Sequence, residues 1–259
     1  GAAEAGVRML ELPVTGGVHL AYQGKITMLA GGDKDLFDLH HAAMQAMGDK
    51  IFHMGPLGSS SIIKVITNML AFIHLKACGE ALMLAQRGGL DLGQAWHAIA
   101  ASSGTSFVHE TEGALILNGS YDIAFNIDLA LKDLGFALGF GKEFGVPLDL
   151  AAMTNQTFMK GKAVYGGGAQ STQIVKLLED ALGTDLRAEG FVKSMPREGP
   201  PGPTPAEPRR LAPPNIWLNM SPNPSPPEKL GSIRNPPPLE PDRRTSSYSL
   251  RLVGSDNTS

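Results

Sequence analysis

Residues 55–70 read "GPLGSSSIIKVITNML", which places a lysine and an asparagine in a stretch whose other large residues are apolar. The stretch predicts a helix that begins near Ser59 and is surrounded by other parts of the protein, because it is apolar nearly all round. Lys64 and Asn68 lie one turn apart and so share a face of this helix. Lysine is seldom buried without a reason. Two explanations stay open: Lys64 extends from the first turn into solvent, or both side chains point into one cavity.

On the C-terminal side of this stretch the pattern stays helical. The first helix is predicted over 59–87, ended by Gly88 and Gly89, and further helices are predicted over 92–101, 106–117, 126–144, 150–164 and 171–182. Polar and charged side chains in the first helix argue against a membrane span and favour a core helix. They are Lys64, Asn68, His74, Lys76 and Glu80.

On the N-terminal side the apolar residues form short runs, "VRMLELPV", "KITMLA" and "KIFHM", separated by glycines and by one helical stretch. That stretch, 34–47, follows a capping candidate, Asp33, and stops at Gly48. The order strand, helix, strand is predicted. The fold class is therefore mainly α: a fragment of an α/β sheet over 1–57, an all-helical domain over 58–190, and a tail over 191–259.

The tail differs from the rest of the chain in composition, since only three of the 19 prolines precede residue 191. We predict that it is disordered, because it cannot bury enough apolar surface to offset the entropy of ordering. Its segments "NPPPLEP" and "NPSPPEKL" are compatible with polyproline ligands for a small recognition domain. A solvated extension, or an artefact of the gene model, is the favoured alternative.

Charge and cysteine content exclude several classes of function. The net charge is −6 over 1–190 and +3 over the tail, and neither value indicates a nucleic-acid surface. Cys78 is the only cysteine, which excludes an intrachain disulfide and fits a reducing compartment, the cytoplasm or the mitochondrial matrix. The histidines, His40 and His41 among them, lack metal-ligand spacing, so no metal site is predicted. The opening "GAAEAGVRMLELPV" carries no signal pattern and is typical of the middle of a domain.

The stretch 55–68 resembles the catalytic segment of the β-hydroxyacid dehydrogenases, the family of 3-hydroxyisobutyrate dehydrogenase, tartronate semialdehyde reductase and the glyoxylate/succinic semialdehyde reductases. The family pattern is GxxGxGxxxKxxxN. The positions that match it are Gly55, Gly58, Lys64 and Asn68, whereas Ser60 occupies the third glycine position. The resemblance covers residues 7 to about 183.

Two other segments resemble the same family. "ELPVTGGVHLAYQGKITMLAGG" is similar to its substrate-binding segment, DxPVSGGxxxAxxGxL, with Glu11 in place of Asp and Thr15 in place of Ser. "FNIDLALKDLGFAL" is similar to the helix that carries a phenylalanine, a lysine and an aspartate toward the active site. The resemblance implies a helical domain like that of 6-phosphogluconate dehydrogenase, NAD or NADP as cofactor, a small β-hydroxyacid or its semialdehyde as substrate, and a homo-oligomer.

One family feature is missing from the start of this chain. Family members begin with a Rossmann domain whose first turn holds a GxGxxG fingerprint. No such element opens this chain, and "GGG" at 166–168 is predicted to be a loop because no strand precedes it. The chain resembles a member that lacks most of the Rossmann domain, with 1–57 as the last strands of that domain. We expect these residues by themselves to have no dehydrogenase activity.

The chemistry of hydroxyacid oxidation explains why a lysine, an asparagine and a pair of glycines would be needed. Oxidation of a β-hydroxyacid needs a base for the hydroxyl proton, and an amine whose pKa is lowered by burial can serve. The family's catalytic lysine corresponds to Lys64, and Asn68 would hold the substrate hydroxyl. The substrate carboxylate needs donors without bulk, which Gly16 and Gly17 can supply through backbone N–H groups beside the Thr15 hydroxyl.

The start of the helix is expected to contribute to substrate binding as well. Free N–H groups at Ser59–Ser61 would attract the substrate anion, whereas the Ser60 side chain would hinder close approach of substrate or cofactor. The resemblance also implies that Lys132 contacts the cofactor and that Phe125 and Asp133 border the substrate.

Purely structural roles remain open for Lys132, Asp133 and Phe125. Lys132 and Asp133 would otherwise be a solvated pair, and Phe125 a core residue. Two functions remain: an NAD(P)-dependent oxidoreductase, or a fragment of one, acting on a small β-hydroxyacid, and a non-catalytic helical oligomerisation protein that has lost cofactor binding.

Overall fold

The computed structural model describes residues 4–196. Its first two elements are very short strands. β1 (Leu10–Glu11) and β2 (Val14–Thr15) both pair antiparallel with β3 (Thr27–Gly32). Pro13 lies between β1 and β2, and its carbonyl accepts a hydrogen bond of 2.9 Å from the N–H of Leu29. Proline interrupts a strand because it has no N–H to donate, and so one edge of β3 is covered by two separate pieces.

The other edge of β3 pairs with β4 (Lys50–Gly55) in parallel. The connection is α2 (Lys34–Gln45), which covers one face of the sheet. The predicted order strand, helix, strand is confirmed for this unit, which is a βαβ crossover. Its small core contains Ile26, Met28, Ala30, Phe37 and Met44.

The remaining described residues are helical and contain the larger core. The elements are α3 (Ser59–Arg87), α4 (Leu92–Ala100), α5 (Phe107–Asn118), α6 (Ile127–Phe144), α7 (Asp149–Tyr165), a 3₁₀ turn (Ser171–Val175) and α8 (Lys176–Leu182). α3 contacts nearly all the others and packs most extensively against α5 and α6. The predicted fold class, mainly helical with a small N-terminal sheet, is confirmed.

Side-chain caps explain why several helices begin where the sequence predicts. Asp91 accepts a hydrogen bond from the N–H of Gln94 at the start of α4. Ser106 and Asn126 cap α5 and α6 in the same way. Each cap satisfies a backbone donor that the first turn of a helix leaves without a partner.

Two predictions of secondary structure were wrong. Residues 17–22 form a one-and-a-half-turn helix, α1 (Gly17–Tyr22), where no helix was predicted. It follows Gly16 and begins with Gly17, whose φ angles of 119° and 80° require glycine, so the sequence shows a turn signal and no ordinary cap. The predicted single helix over 171–182 begins as the 3₁₀ turn, stabilised by reciprocal hydrogen bonds of Gln170 and Gln173.

The start of the predicted tail packs on the helical core. The ring of Phe191 lies 5.2 Å from that of Trp96, measured between centroids, and its carbonyl accepts from the Asn118 side chain. The predicted tail from 197 onward lies outside the described residues.

α3 is long and apolar enough to span a membrane by length and composition, a test that core helices also pass. One of its faces is packed against the other helices.

Candidate active site

α3 directs Lys64 and Asn68 toward the interior of the protein. Leu75 and Leu82 are fully buried and follow Asn68 at intervals of seven residues, which is two helical turns each. Lys64 lies one turn before Asn68 on this same core-facing stripe, and both residues are half-buried. The packing of α3 therefore brings an amine and an amide to the edge of the core.

A chain of polar contacts runs from Lys64 to α6. Lys64 Nζ donates to Asn68 Oδ1 at 2.9 Å, and Asn68 Nδ2 donates to Asp133 Oδ2 at 2.7 Å. The second carboxylate oxygen of Asp133 lies 3.2 Å from Nζ of Lys132. Asp133 is buried, whereas the side chain of Lys132 is exposed. The carboxylate can only accept from Asn68, so it directs the amide oxygen of Asn68 toward Lys64.

The surroundings of Lys64 lower the pKa of its amine. Burial is the largest effect on Lys64 and lowers its pKa below the ordinary value. The Asp133 carboxylate acts in the opposite direction, and the Lys132 ammonium lowers the pKa further. The net direction is downward, which is the direction that acid/base chemistry by a lysine needs.

The start of α3 is occupied by a carboxylate of the protein itself. Glu11 Oε2 accepts from Ser60 Oγ at 2.6 Å and from the N–H of Gly58 at 2.9 Å. These contacts, led by the Ser60 hydrogen bond, lower the pKa of Glu11. The predicted anion attraction by free N–H groups at Ser59–Ser61 is therefore corrected, because Glu11 already takes this position.

Ser60 does not obstruct the site in the way expected from the sequence. Its side chain is fully buried and its hydroxyl donates to Glu11. The side chain is thus directed toward β1 and β3.

The glycine turn follows a strand that contacts α3. Thr15 ends β2, which packs against α3, and Gly16 and Gly17 follow with left-handed backbone angles. No hydrogen bond joins these three residues to Lys64 or Asn68 within residues 4–196. His19, two residues after Gly17, is buried and stacks on Phe107 of α5 at 5.9 Å between ring centroids. This contact attaches the turn to the helical core, and no sequence motif indicated it.

Phe125 lies at the end of a tightly held loop. Its ring is 5.8 Å from Phe72, which follows Asn68 by one turn on α3. The loop before it contains two non-glycine residues with positive φ, Tyr121 at 56° and Ala124 at 59°. Such angles are uncommon outside glycine and mark local strain. Phe125 is half-buried, so the structure combines a core contact with partial access.

Within residues 4–196 no group of three or more His, Cys, Asp or Glu side chains could hold a metal ion.

Comparison with known proteins gives two family matches. Residues 58–178 match the family described as the NAD-binding domain of NADP-dependent 3-hydroxyisobutyrate dehydrogenase. Residues 1–55 match the NAD-binding domain of 6-phosphogluconate dehydrogenase. The two matches together include both strands of the βαβ unit and all of the polar chain from Lys64 to Asp133.

Individual relatives agree with these matches. 2-(Hydroxymethyl)glutarate dehydrogenase of Eubacterium barkeri is 32% identical over 186 residues, which are 71% of this chain and 62% of that protein. L-threonate dehydrogenase of Cupriavidus necator is 32% identical over 176 residues, 68% of this chain and 59% of that protein. The crystal structure of a 3-hydroxyisobutyrate dehydrogenase from Salmonella typhimurium superposes with a TM-score of 0.62 at 27% identity, covering 68% of this chain and 62% of that one.

This chain spans about three fifths of the length of the curated relatives it matches. The two matched families are described as NAD-binding, and the relatives are named as dehydrogenases of hydroxylated acids. The chain belongs to the β-hydroxyacid dehydrogenase family, of the 3-hydroxyisobutyrate dehydrogenase type.

Proposed function

We propose that these residues form the acid/base and substrate part of an NAD(P)-dependent dehydrogenase that interconverts a small β-hydroxyacid and its semialdehyde. The observation that carries the proposal is the hydrogen-bonded chain Lys64–Asn68–Asp133 on the core-facing side of α3. The names of the relatives support the substrate class, since they describe dehydrogenases of hydroxylated acids.

The residues present fit the cofactor only in part. Lys132 offers an exposed amine beside the polar chain, suited to a phosphate or carboxamide oxygen. The 259 residues contain no GxGxxG sequence, so the usual cradle for a pyrophosphate is not among them. When bound, the nicotinamide accepts or supplies the hydride. The proposed roles below concern only the residues of this chain.

The central step is a proton transfer at Lys64. In the oxidative direction its neutral Nζ accepts the proton of the substrate hydroxyl, and in the reductive direction the ammonium returns it. Asn68 Oδ1 holds one N–H of the amine, which leaves the nitrogen lone pair free to point at the substrate. Thr15, Gly16 and Gly17 are proposed to hold the substrate carboxylate, and Phe125 to border its carbon chain.

Asp133 is proposed to act through Asn68, whereas the resemblance implied contact with substrate. Both of its oxygens are engaged, one by Asn68 and one by Lys132, and the side chain is buried. A carboxylate in this position has little capacity left for a ligand. It is therefore a positioning residue that holds the amide and supports the charge on Lys64.

Protection of Lys64 from acylation tests the proposal on the chain as it stands. We expect 3-hydroxyisobutyrate or L-threonate to slow the labelling of Lys64 by acetic anhydride, measured by mass spectrometry. Exposed Lys160 is the internal control, and its labelling should not change. The proposal is wrong if none of a panel of small β-hydroxyacids protects Lys64 while all leave Lys160 equally reactive.

The second candidate function, a non-catalytic oligomerisation protein, is favoured by the outer face of α3. Three large apolar residues on this face of the helix are exposed, Ile66 (38%), Leu70 (44%) and Leu84 (75%), and their spacings of four and fourteen residues place them in one stripe. Such a stripe suits packing against a second copy of the chain. Sedimentation equilibrium of wild type and Leu70→Glu tests this function: a dimer that Leu70→Glu dissociates supports it, and a monomeric wild type contradicts it.

A further inference from the structure

Two of the residues that depart from the family pattern, Glu11 and Ser60, contact each other in this structure. We propose that they form a latch between β1 and the start of α3 that positions Lys64. The latch is defined as Glu11, Gly31, Gly58 and Ser60. The latch deepens the proposed function. It rests on that proposal only because Lys64 is the residue that it positions.

Each of the four residues takes part in this contact or makes room for it. One oxygen, Glu11 Oε2, receives both the Ser60 hydroxyl at 2.6 Å and the Gly58 N–H at 2.9 Å. Gly31 on β3 makes room for it, because a Cβ at this position would lie 2.8 Å from Ser60 Oγ and 3.0 Å from Glu11 Oε2. A side chain at residue 31 would thus separate the two partners.

The sequence positions of the partners make the latch relevant to the site. Ser60 precedes Lys64 by four residues, so the two lie on neighbouring turns of the same face of α3. Glu11 belongs to β1, from which the chain continues through Pro13 to Thr15 and the glycine turn. One carboxylate thus joins the strand that leads to the proposed carboxylate-binding turn with the helix that carries the amine.

Charge strengthens the contact. The Ser60 hydrogen bond is the largest effect lowering the pKa of Glu11, so the carboxylate is ionised at neutral pH. An anion at the N-terminus of a 29-residue helix is stabilised by the helix dipole and by the N–H groups of the first turn. Opening the latch would loosen this turn and admit water to Lys64.

A double-mutant cycle tests the pair. In urea unfolding of the full chain we expect Ser60→Ala and Glu11→Ala each to raise the unfolding equilibrium constant by roughly tenfold, and the double variant to fall short of the product of the two by a similar factor. Glu11→Gln is the milder variant should Glu11→Ala fail to fold. Ser59→Ala is the matched control, because its hydroxyl donates to the Pro56 carbonyl and not to Glu11.

Positioning is tested by the pH dependence of Lys64 acetylation. In wild type the midpoint should lie below the ordinary lysine pKa of 10.5, and Ser60→Ala or Glu11→Gln should move it up toward that value, whereas Ser59→Ala should not. Additive destabilisation, or an unchanged Lys64 midpoint in both latch variants, overturns the inference. Neither measurement involves turnover, so failure of the latch is distinguishable from failure of Lys64 as the acid/base.

Discussion

At the scale of single residues, the molecule keeps an amine partly out of water at the edge of its core. Among residues 4–196 the amine of Lys64 has one hydrogen-bond partner, Asn68, and its strongest electrostatic influence after burial is Asp133 on another helix. Active sites generally reduce stability in this way, because chemistry requires groups that packing alone would not select. Stability and activity should therefore respond differently to changes at this position.

The first prediction concerns removal of the amine. Because the pKa of Lys64 is lowered in the folded state, the unfolded chain binds more protons just below the ordinary lysine pKa of 10.5. The cation thus disfavours folding at pH 7, and the disadvantage disappears as pH rises above 10.5. We expect Lys64→Met to equal or exceed wild type in free energy of unfolding at pH 7, measured in urea. A loss of more than about 1 kcal/mol would contradict this.

Substitution of Lys64 should reduce enzymatic activity strongly even where stability is kept. In a chimera that supplies the dinucleotide-binding domain of a relative, Lys64→Ala should lower turnover of a β-hydroxyacid by roughly a hundredfold or more. Lys64→Arg should fail as well, because a guanidinium stays protonated and cannot act as a base. Near-normal turnover in Lys64→Arg would mean that no proton passes through this residue.

The second prediction concerns Asp133. Its carboxylate raises the pKa of Lys64, so Asp133→Asn should lower that pKa further, and the pH dependence of Lys64 acetylation should move to lower pH. Asp128→Asn is the matched control on the same helix, since Asp128 forms an exposed ion pair with Lys162 at 2.6 Å. An equal shift in both variants would show that the effect is only one of net charge.

At the scale of elements, the packing of α3 decides which of its residues form the site. Gly79 is buried where α3 meets the 3₁₀ turn, and a Cβ there would lie 2.6 Å from Val175 Cγ2. The glycine thus allows α3 to approach the 3₁₀ turn closely. Glycine is required at residue 79 because a side chain would clash with Val175, and not because of its backbone angles.

The third prediction compares two helical glycines. Gly79→Ala should destabilise the chain by about 1–3 kcal/mol through overpacking. Gly139→Ala should be neutral or stabilising by up to about 1 kcal/mol, because nothing lies within 4 Å of its Cβ and alanine favours the helix. Thermal melting of both variants checks the difference, and equal melting temperatures would disprove the contact argument.

At the scale of the whole described molecule, a buried acid fastens the last segment to the bundle. Glu179 is 1% exposed and accepts from the Tyr121 hydroxyl, from the N–H of Leu186 at 2.8 Å and from Arg187 at 2.9 Å. These bonds connect α8, the segment after it and the strained loop that leads to Phe125. The position of Phe125 therefore depends on contacts distant from the site.

The fourth prediction concerns this acid. Glu179→Gln retains the shape but replaces one acceptor oxygen by an NH₂ group that faces hydrogen-bond donors, so we expect a loss of about 1–3 kcal/mol in the free energy of unfolding. Asp185→Asn is the control: Asp185 is exposed and 3.6 Å from the same guanidinium, and its loss should cost less than about 1 kcal/mol. Similar losses in urea titrations of the two variants would contradict the role assigned to burial.

The sequence by itself determined most of the helices and the resemblance to the family. Helix α3 was predicted with the bounds the structure has, and the predicted starts of α4, α5 and α6 lie within one residue of the observed ones. These features are local, since apolar periodicity and capping residues act within a few turns. The motif around Lys64 was equally local and carried the resemblance to the family.

Only the tertiary structure decided how the site residues meet. Asn68 and Asp133 are 65 residues apart, and Glu11 and Ser60 are 49 apart, so no spacing in the sequence could reveal either contact. The sequence also suggested free N–H groups at the start of α3, whereas the fold fills that position with Glu11. The physical reason is that hydrogen-bond partners between distant segments are chosen by helix packing and sheet register, which depend on the whole core.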